Sequence, residues 1–376
     1  MSSVNYNVLG LIFASMHDSN IIELTEKRTM GSIPFGGRYR LIDFPLSNFV
    51  NSGIVEVGVI TKSNYASLLD HVGSGRDWDL SRKNGGLHLL PPYSQKYNGG
   101  MYTGRLDALR NIWSCIEHSK AQYVIMANCD VVTTIDFAPA LRQHKESGAD
   151  ITLIYSKGMY DSKKDKSGTI LEFNEDNTLK NVFVDPKISG ECCQWLEMII
   201  ISKDVLDKIV HYADTSNVSS FTREILQNRK DEYKIVGYEH KDFFVRIDST
   251  DNYYAANMAL LDADKRNALF KPDIPVYTKV RDSAPAKYGL ESNIKNSLIA
   301  DGCVIEGTVE NSIIFRGVKI GKDTVVKNSV IMQGTVIGSG CQVVNVITDK
   351  NVEISDGKTA MGSDLYPMLL EKNRVF

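Results

Sequence analysis

Arg38 and Arg40 stand two residues apart in the segment Pro34-Phe35-Gly36-Gly37-Arg38-Tyr39-Arg40-Leu41-Ile42-Asp43-Phe44-Pro45-Leu46-Ser47-Asn48. On extended backbone that spacing puts both guanidinium groups on one face, where together they can clamp a phosphate. The same segment also has a purely structural reading. It can pack the first helix against a sheet, with Asp43 and Asn48 tying down loops. Two other positions matter by place: Ala14-Ser15 and Asn128-Cys129-Asp130 each close a strand-like apolar run. A lone aspartate such as Asp130 serves a turn or a cap as readily as a ligand.

The elements that must hold these groups alternate. Val8-Leu9-Gly10-Leu11-Ile12-Phe13 is a continuous apolar run, as in a strand buried on both faces, and 55–61 and 123–127 read the same way. Between them, residues 105–119 place Leu106, Leu109, Ile112, Trp113 and Ile116 at helical spacing. Strand and helix in alternation predict an α/β domain of Rossmann-like character, with a mostly parallel sheet covered on both faces. Ligands of such sheets bind beyond the carboxyl ends of the strands, where Ser15 and Asp130 fall. A helix over 251–269 closes this domain, expected to span 1–270. Lys271-Pro272-Asp273-Ile274-Pro275 and Ala284-Pro285-Ala286 then mark a linker over 271–289.

The remainder, 290–376, is different in kind. Asn296-Ser297-Leu298-Ile299, Asn311-Ser312-Ile313-Ile314, Asn328-Ser329-Val330-Ile331 and Asn345-Val346-Ile347 recur at intervals of 15, 17 and 17 residues. Within each interval Val or Ile returns about every six residues beside Gly, which predicts a left-handed parallel β-helix of hexapeptide type. Val and Ile are expected to point inward and Gly to turn the corners.

Composition narrows the function. At 376 residues, 43% hydrophobic and 24% charged, the chain suits an ordinary globular protein of two domains. A net charge of −3 argues against nucleic acid or an anionic membrane as partner. No apolar run spans a bilayer, and Met1-Ser2-Ser3-Val4-Asn5 lacks the features of a signal peptide, so a cytoplasmic location is expected. The six cysteines have no C-x-x-C spacing, which speaks against a zinc site. Adjacent Cys192-Cys193 allow a redox reading, with incidental thiols in a reducing compartment as the plainer one.

The segment from Pro34 to Asn48, followed by Asn51-Ser52-Gly53-Ile54, resembles the N-terminal signature of bacterial ADP-glucose pyrophosphorylase (glucose-1-phosphate adenylyltransferase). In that family a sugar phosphate attacks the α-phosphate of ATP and pyrophosphate leaves. Glycines let backbone N–H groups cradle the phosphates, an arginine and a lysine draw charge to the leaving group, and carboxylates hold magnesium. The resemblance puts the loop glycines on Ser15, Met16 and Asp18, the loop arginine on Asn20, and the lysine on Met30, with its following proline on Gly31. The first metal aspartate matches Asp130. The second falls on Ile247, with Asp248 one residue later. The sugar side departs as well: Glu197 stands where the family has glycine, Arg105 where it has a small residue, and Val184-Asp185-Pro186-Lys187 breaks its E-K-P order. Asp107 is kept, and Arg28 matches an arginine of the loop.

With the frame kept and the working groups lost, the chain resembles the GlgD-type companion subunits of this family over essentially its whole length. The resemblance implies a catalytically deficient regulatory subunit in glycogen synthesis. It would form a heterotetramer with the catalytic subunit, which supplies the magnesium site, and bind a phosphorylated sugar or nucleotide effector near Arg38 and Arg40. Three readings stand beside it. One is a weak nucleotidyltransferase using Asp130, Asp248 and Lys27 or Arg28. Another is a ligand-free oligomerisation partner. The last is an acyltransferase, which needs a histidine between coils that the segment after Gly289 does not contain.

Overall fold

The computed structural model describes residues 5–92, 102–363 and 366–376, so Met1-Ser2-Ser3-Val4 lies outside the described residues. Nine strands form the principal sheet. Its centre is parallel: Asn5–Phe13 lies between Ile54–Ile60 and Tyr123–Asn128, and Gly86–Leu90 adds beyond Ile54–Ile60. The other side is antiparallel, where Ser189–Ser202 runs against Tyr123–Asn128 and Ile151–Asp161. The central strands are buried on both faces because helices cover both, which is why they carry no alternation of apolar and polar residues.

The helix expected over 105–119 is Arg105–His118, with Leu106, Leu109, Ile112 and Ile116 buried as expected and Trp113 only half-buried. The helix expected over 251–269 is two helices, Thr250–Ala259 and Ala263–Leu269. The break lies at Asp262, whose carboxylate accepts the N–H groups of Asp264 at 2.9 Å and Lys265 at 3.3 Å and so caps a new helix.

The tail forms three five-stranded parallel sheets in which each strand pairs with its counterpart one coil later, as in a left-handed β-helix. The repeat Asn-Ser has a specific cause. Asn296, Asn311, Asn328 and Asn345 hold positive φ values of 45°, 44°, 45° and 54°, so asparagine, rather than the expected glycine, turns this corner. The serines then stack: Ser312 N–H donates to Ser297 Oγ, Ser329 N–H to Ser312 Oγ and Val346 N–H to Ser329 Oγ, each at 3.1 Å. Glycine takes another corner, at Gly302, Gly317 and Gly334.

The interior of the β-helix is a core of its own, built from Val309, Val326, Val343, Ile320, Ile337 and their neighbours. One outer face belongs to the first domain's core instead. Ile313, Phe315, Val330, Met332 and Ile347 pack with Ile33, Phe35, Leu41 and Phe44. Tyr254 Oη donates to Asn328 O at 2.6 Å across the same seam. The proline-rich stretch lies along the first domain, where Tyr277 N–H donates to Ser47 Oγ at 2.9 Å and Asn51 Nδ2 to Pro275 O at 2.9 Å. Among the described residues no helix is long and apolar enough to cross a membrane.

Candidate functional site

The first strand ends at Phe13, and the chain enters its loop at the carboxyl edge of the sheet. Ser15 Oγ accepts the N–H of Lys62 at 2.9 Å. Asp18 Oδ1 accepts the N–H of Met30 at 2.8 Å. A carboxylate of the chain itself thus takes a backbone donor of the loop. Burial pushes the Asp18 carboxyl up to about 6, against the Met30 bond and the charges of Lys62 and His17. Met16 packs half-buried on the sheet core, and Met30 is fully buried. Gly31 is held against the strand end, its N–H on Ala14 O at 2.9 Å. A Cβ there would meet Cys129 Sγ at 3.2 Å, so the turn tolerates no larger residue without movement. Asn20 Nδ2 donates to Ser167 Oγ at 3.3 Å and ties the loop after the first strand to the 162–168 loop.

On the floor, Asp130 is buried and does not stand alone. His17 Nδ1–H donates to its Oδ2 at 2.8 Å, and Arg246 Nη1 lies 3.9 Å from the same oxygen. Burial by itself would raise the Asp130 carboxyl, but these two cations hold it down at about 2. For His17, burial alone would lower the imidazole, yet the Asp130 charge and hydrogen bond prevail and raise it. Ile247 is fully buried, and its N–H donates to Asp130 O at 2.7 Å. Asp248 has both oxygens engaged, by Ser167 N–H at 2.9 Å and Asn252 Nδ2 at 2.5 Å.

A second buried pair joins Arg105 and Glu197. Arg105 Nη2 donates to Glu197 Oε2 at 2.9 Å and to Asn128 Oδ1 at 3.0 Å. Its guanidinium sits 5.2 Å from the Phe13 ring centroid and 5.3 Å from that of Trp195. Glu197 holds left-handed backbone, with a φ of +58°, at a register shift between Trp195 and Met198. Asp107 lies in the first turn of the Arg105–His118 helix, where it accepts Thr103 N–H at 3.0 Å and pairs with Arg110 at 2.8 Å. Asp185 accepts Gly168 N–H at 2.8 Å and so shapes a turn.

Arg28 is elsewhere. It is buried in the seam between the domains, with Nη2 2.7 Å from each oxygen of Asp349 on the β-helix. Nearby, Arg38 lies in the hairpin turn after Gly36 and Gly37, whose φ values are +60° and +87°. Arg40 lies on the following strand, so the two are not successive same-face residues of one strand. Both nonetheless line one interdomain cleft, together with Arg281, Arg316, Lys350 and His71. Arg40 Nη1 donates to Ser67 O at 2.6 Å, and burial brings its guanidinium down to about 10. Burial, reinforced by Arg40 and Arg28, pushes Lys350 down to about 6. Carboxylates balance part of this charge, Asp301 on Arg316 at 3.1 Å and Asp70 on Arg281 at 4.0 Å, while Asp43 hydrogen-bonds at 2.6 Å to His71, whose imidazole burial holds down. Asp43 and Asn48 tie loops as expected. Asp43 also accepts Arg40 N–H at 2.9 Å, and Asn48 bridges Thr133 O and Ile135 N–H.

Nothing local in the sequence marks His17, Arg281, Arg316 or Lys350 as site residues. His17 meets Asp130 across 113 residues of chain, and the cations of the cleft arrive from separate elements of both domains. One signal was available: Asp130 retained without a second carboxylate calls for a compensating cation, and His17 is the titratable base in the loop opposite. All six cysteines are free thiols, and burial raises both Cys192 and Cys193, away from redox-ready thiolates.

A parallel-centred α/β domain with its cleft at the carboxyl edge, joined to a hexapeptide β-helix, defines a nucleotidyl transferase architecture. The nucleotidyl transferase family pattern matches residues 10–259, and a GlmU-like, C-terminal hexapeptide pattern matches 284–366. The chain is 36% identical over 377 residues to the glycogen biosynthesis protein GlgD of Bacillus subtilis, covering 99% of this chain and 97% of that one. It is 37% identical to the GlgD of Geobacillus stearothermophilus, covering 86% and 84%. It is 32% identical to a glucose-1-phosphate adenylyltransferase of Clostridium botulinum, again covering 86% and 84%. The chain belongs to the nucleotidyl transferase family, in the branch that holds the GlgD proteins and the glucose-1-phosphate adenylyltransferases.

Proposed function

We propose that this chain is a regulatory, catalytically deficient companion of a glucose-1-phosphate adenylyltransferase in glycogen biosynthesis. The observation that carries this reading is the charge state of the cleft: Asp130 is satisfied by His17 and Arg246, and Glu197 by Arg105. Phosphoryl transfer depends on cations free to neutralise developing charge on the substrate. Here the cationic groups on the floor are committed to the chain's own carboxylates, and the loop lacks its glycines, arginine and lysine. Magnesium, which nucleotidyl transferases generally use, would act in the catalytic partner of a heterotetramer.

The decisive assay is pyrophosphate release from ATP and glucose-1-phosphate with magnesium, using this chain, the catalytic partner, and the two mixed. No turnover from this chain and a changed rate or effector response in the mixture is the expected outcome. Turnover by this chain alone, abolished by Asp130→Asn, would overturn the reading.

The effector site is the interdomain cleft of Arg38, Arg40, Arg281, Arg316 and Lys350, whose ligand would be a phosphorylated sugar or nucleotide. Arg38→Ala with Arg40→Ala is expected to weaken binding by about tenfold or more, from the loss of charge-assisted hydrogen bonds. The affinity should also depend on pH. Lys350 has a pKa of about 6 in the free protein and is neutral at pH 7.5. A phosphate beside it favours the ammonium, so binding takes up a proton and affinity falls as pH rises above 6. Titration calorimetry in buffers of different ionisation enthalpy reads that uptake, and Lys350→Met should abolish it while leaving the fold intact.

A further inference from the structure

Nucleotidyl transferase chemistry implies a divalent ion at the floor of the cleft, and the residues present do not fit one. A divalent ion of this kind takes an octahedral set of oxygens, with carboxylates supplying the charge. Asp130 offers Oδ1 alone, because Oδ2 is engaged by His17 at 2.8 Å and approached by Arg246 at 3.9 Å. The second carboxylate position is the buried side chain of Ile247. Asp248 is held by Ser167 and Asn252. Among the described residues, Arg105 Nε and Asn128 Nδ2 are also buried without a partner. Both are N–H donors, one on a guanidinium, and would repel a cation. Among the described residues, no group of three or more His, Cys, Asp or Glu side chains is arranged to hold a metal.

We infer that the side chains of His17 and Arg246 occupy the electrostatic place of the divalent ion, so that this cleft folds and stays closed without metal. The two cations reach one carboxylate oxygen from opposite sides in the chain: His17 from the loop after the first strand, Arg246 from the end of the strand Phe244–Arg246. Arg246 is itself oriented by donating to Trp195 O. The substitution of a built-in cation for a dissociable one removes the dependence of loop position on metal. It couples the loop to the floor permanently, because His17 adjoins Asp18, which holds Met30. This inference rests on the floor geometry and not on any effect upon a partner, so it can fail while the regulatory reading survives, and the reverse.

The test is Mn²⁺ binding to the full chain, read from the loss of the free-ion electron paramagnetic resonance signal, with and without ATP. The wild type is expected to show no binding that depends on Asp130, the comparison being Asp130→Asn. Mn²⁺ binding by the wild type that Asp130→Asn removes would overturn the inference. His17→Ala and Arg246→Ala combined with Ile247→Asp should gain a site and raise Mn²⁺ affinity on the order of tenfold or more. A folded variant that gains nothing would refute the claim that these side chains exclude the ion. If that variant does not fold, the His17 ring resonances of the wild type decide: unmoved by excess Mg²⁺ supports the inference, and displaced by it overturns it.

Discussion

Arg28→Met is expected to lower the unfolding free energy by about 3–5 kcal/mol, the cost of leaving a buried carboxylate without its cation. Asp349 retains only the N–H of Lys350, at 2.6 Å, once the guanidinium is gone. Both members of the pair are almost fully buried, with side-chain exposures of 2% and 6%, so solvent screening does little to soften the loss. The stability of a domain is on the order of 5–15 kcal/mol, so a loss of this size shows as an early transition in urea or heat. The effect should not stay local. The pair ties the loop of the first domain to the β-helix, beside apolar contacts such as Phe315 and Met332. Arg28→Met with Asp349→Leu should recover most of the loss, because a buried ion pair replaced by apolar groups of similar volume is close to neutral. Equal destabilisation in the single and double variants would sink this account.

The second large effect belongs to Arg105 and Glu197. Arg105→Ala leaves Glu197 buried without a cation, and a loss of about 3–5 kcal/mol is expected. Glu197→Gly removes the strain at φ +58° but strands the guanidinium with Asn128. The two together restore a small residue on the helix and a glycine on the bulge. A double-mutant cycle in urea is therefore expected to show coupling of about 2–3 kcal/mol, at the upper end for neighbouring residues. Additive single effects would mean that the pair contributes no more than two separate surface charges.

Side-chain identity and period alone were enough for several features. The alternation of apolar runs with the helical face of Leu106, Leu109, Ile112 and Ile116 determined the α/β domain, because burial on two faces and burial on one leave different periods. The Asn-Ser repeat determined the β-helix, since each coil must stack its corner and its serine on the last. The chain could not reveal by itself which charges meet. Arg28 carries no signal of its partner, which is 321 residues away on the β-helix. His17 carries no motif, yet it neutralises Asp130. The cations lining the interdomain cleft come from both domains and the stretch between them. Pairing of charges depends on distance and desolvation in three dimensions, which only the docking of the two domains and the closure of the loop decided.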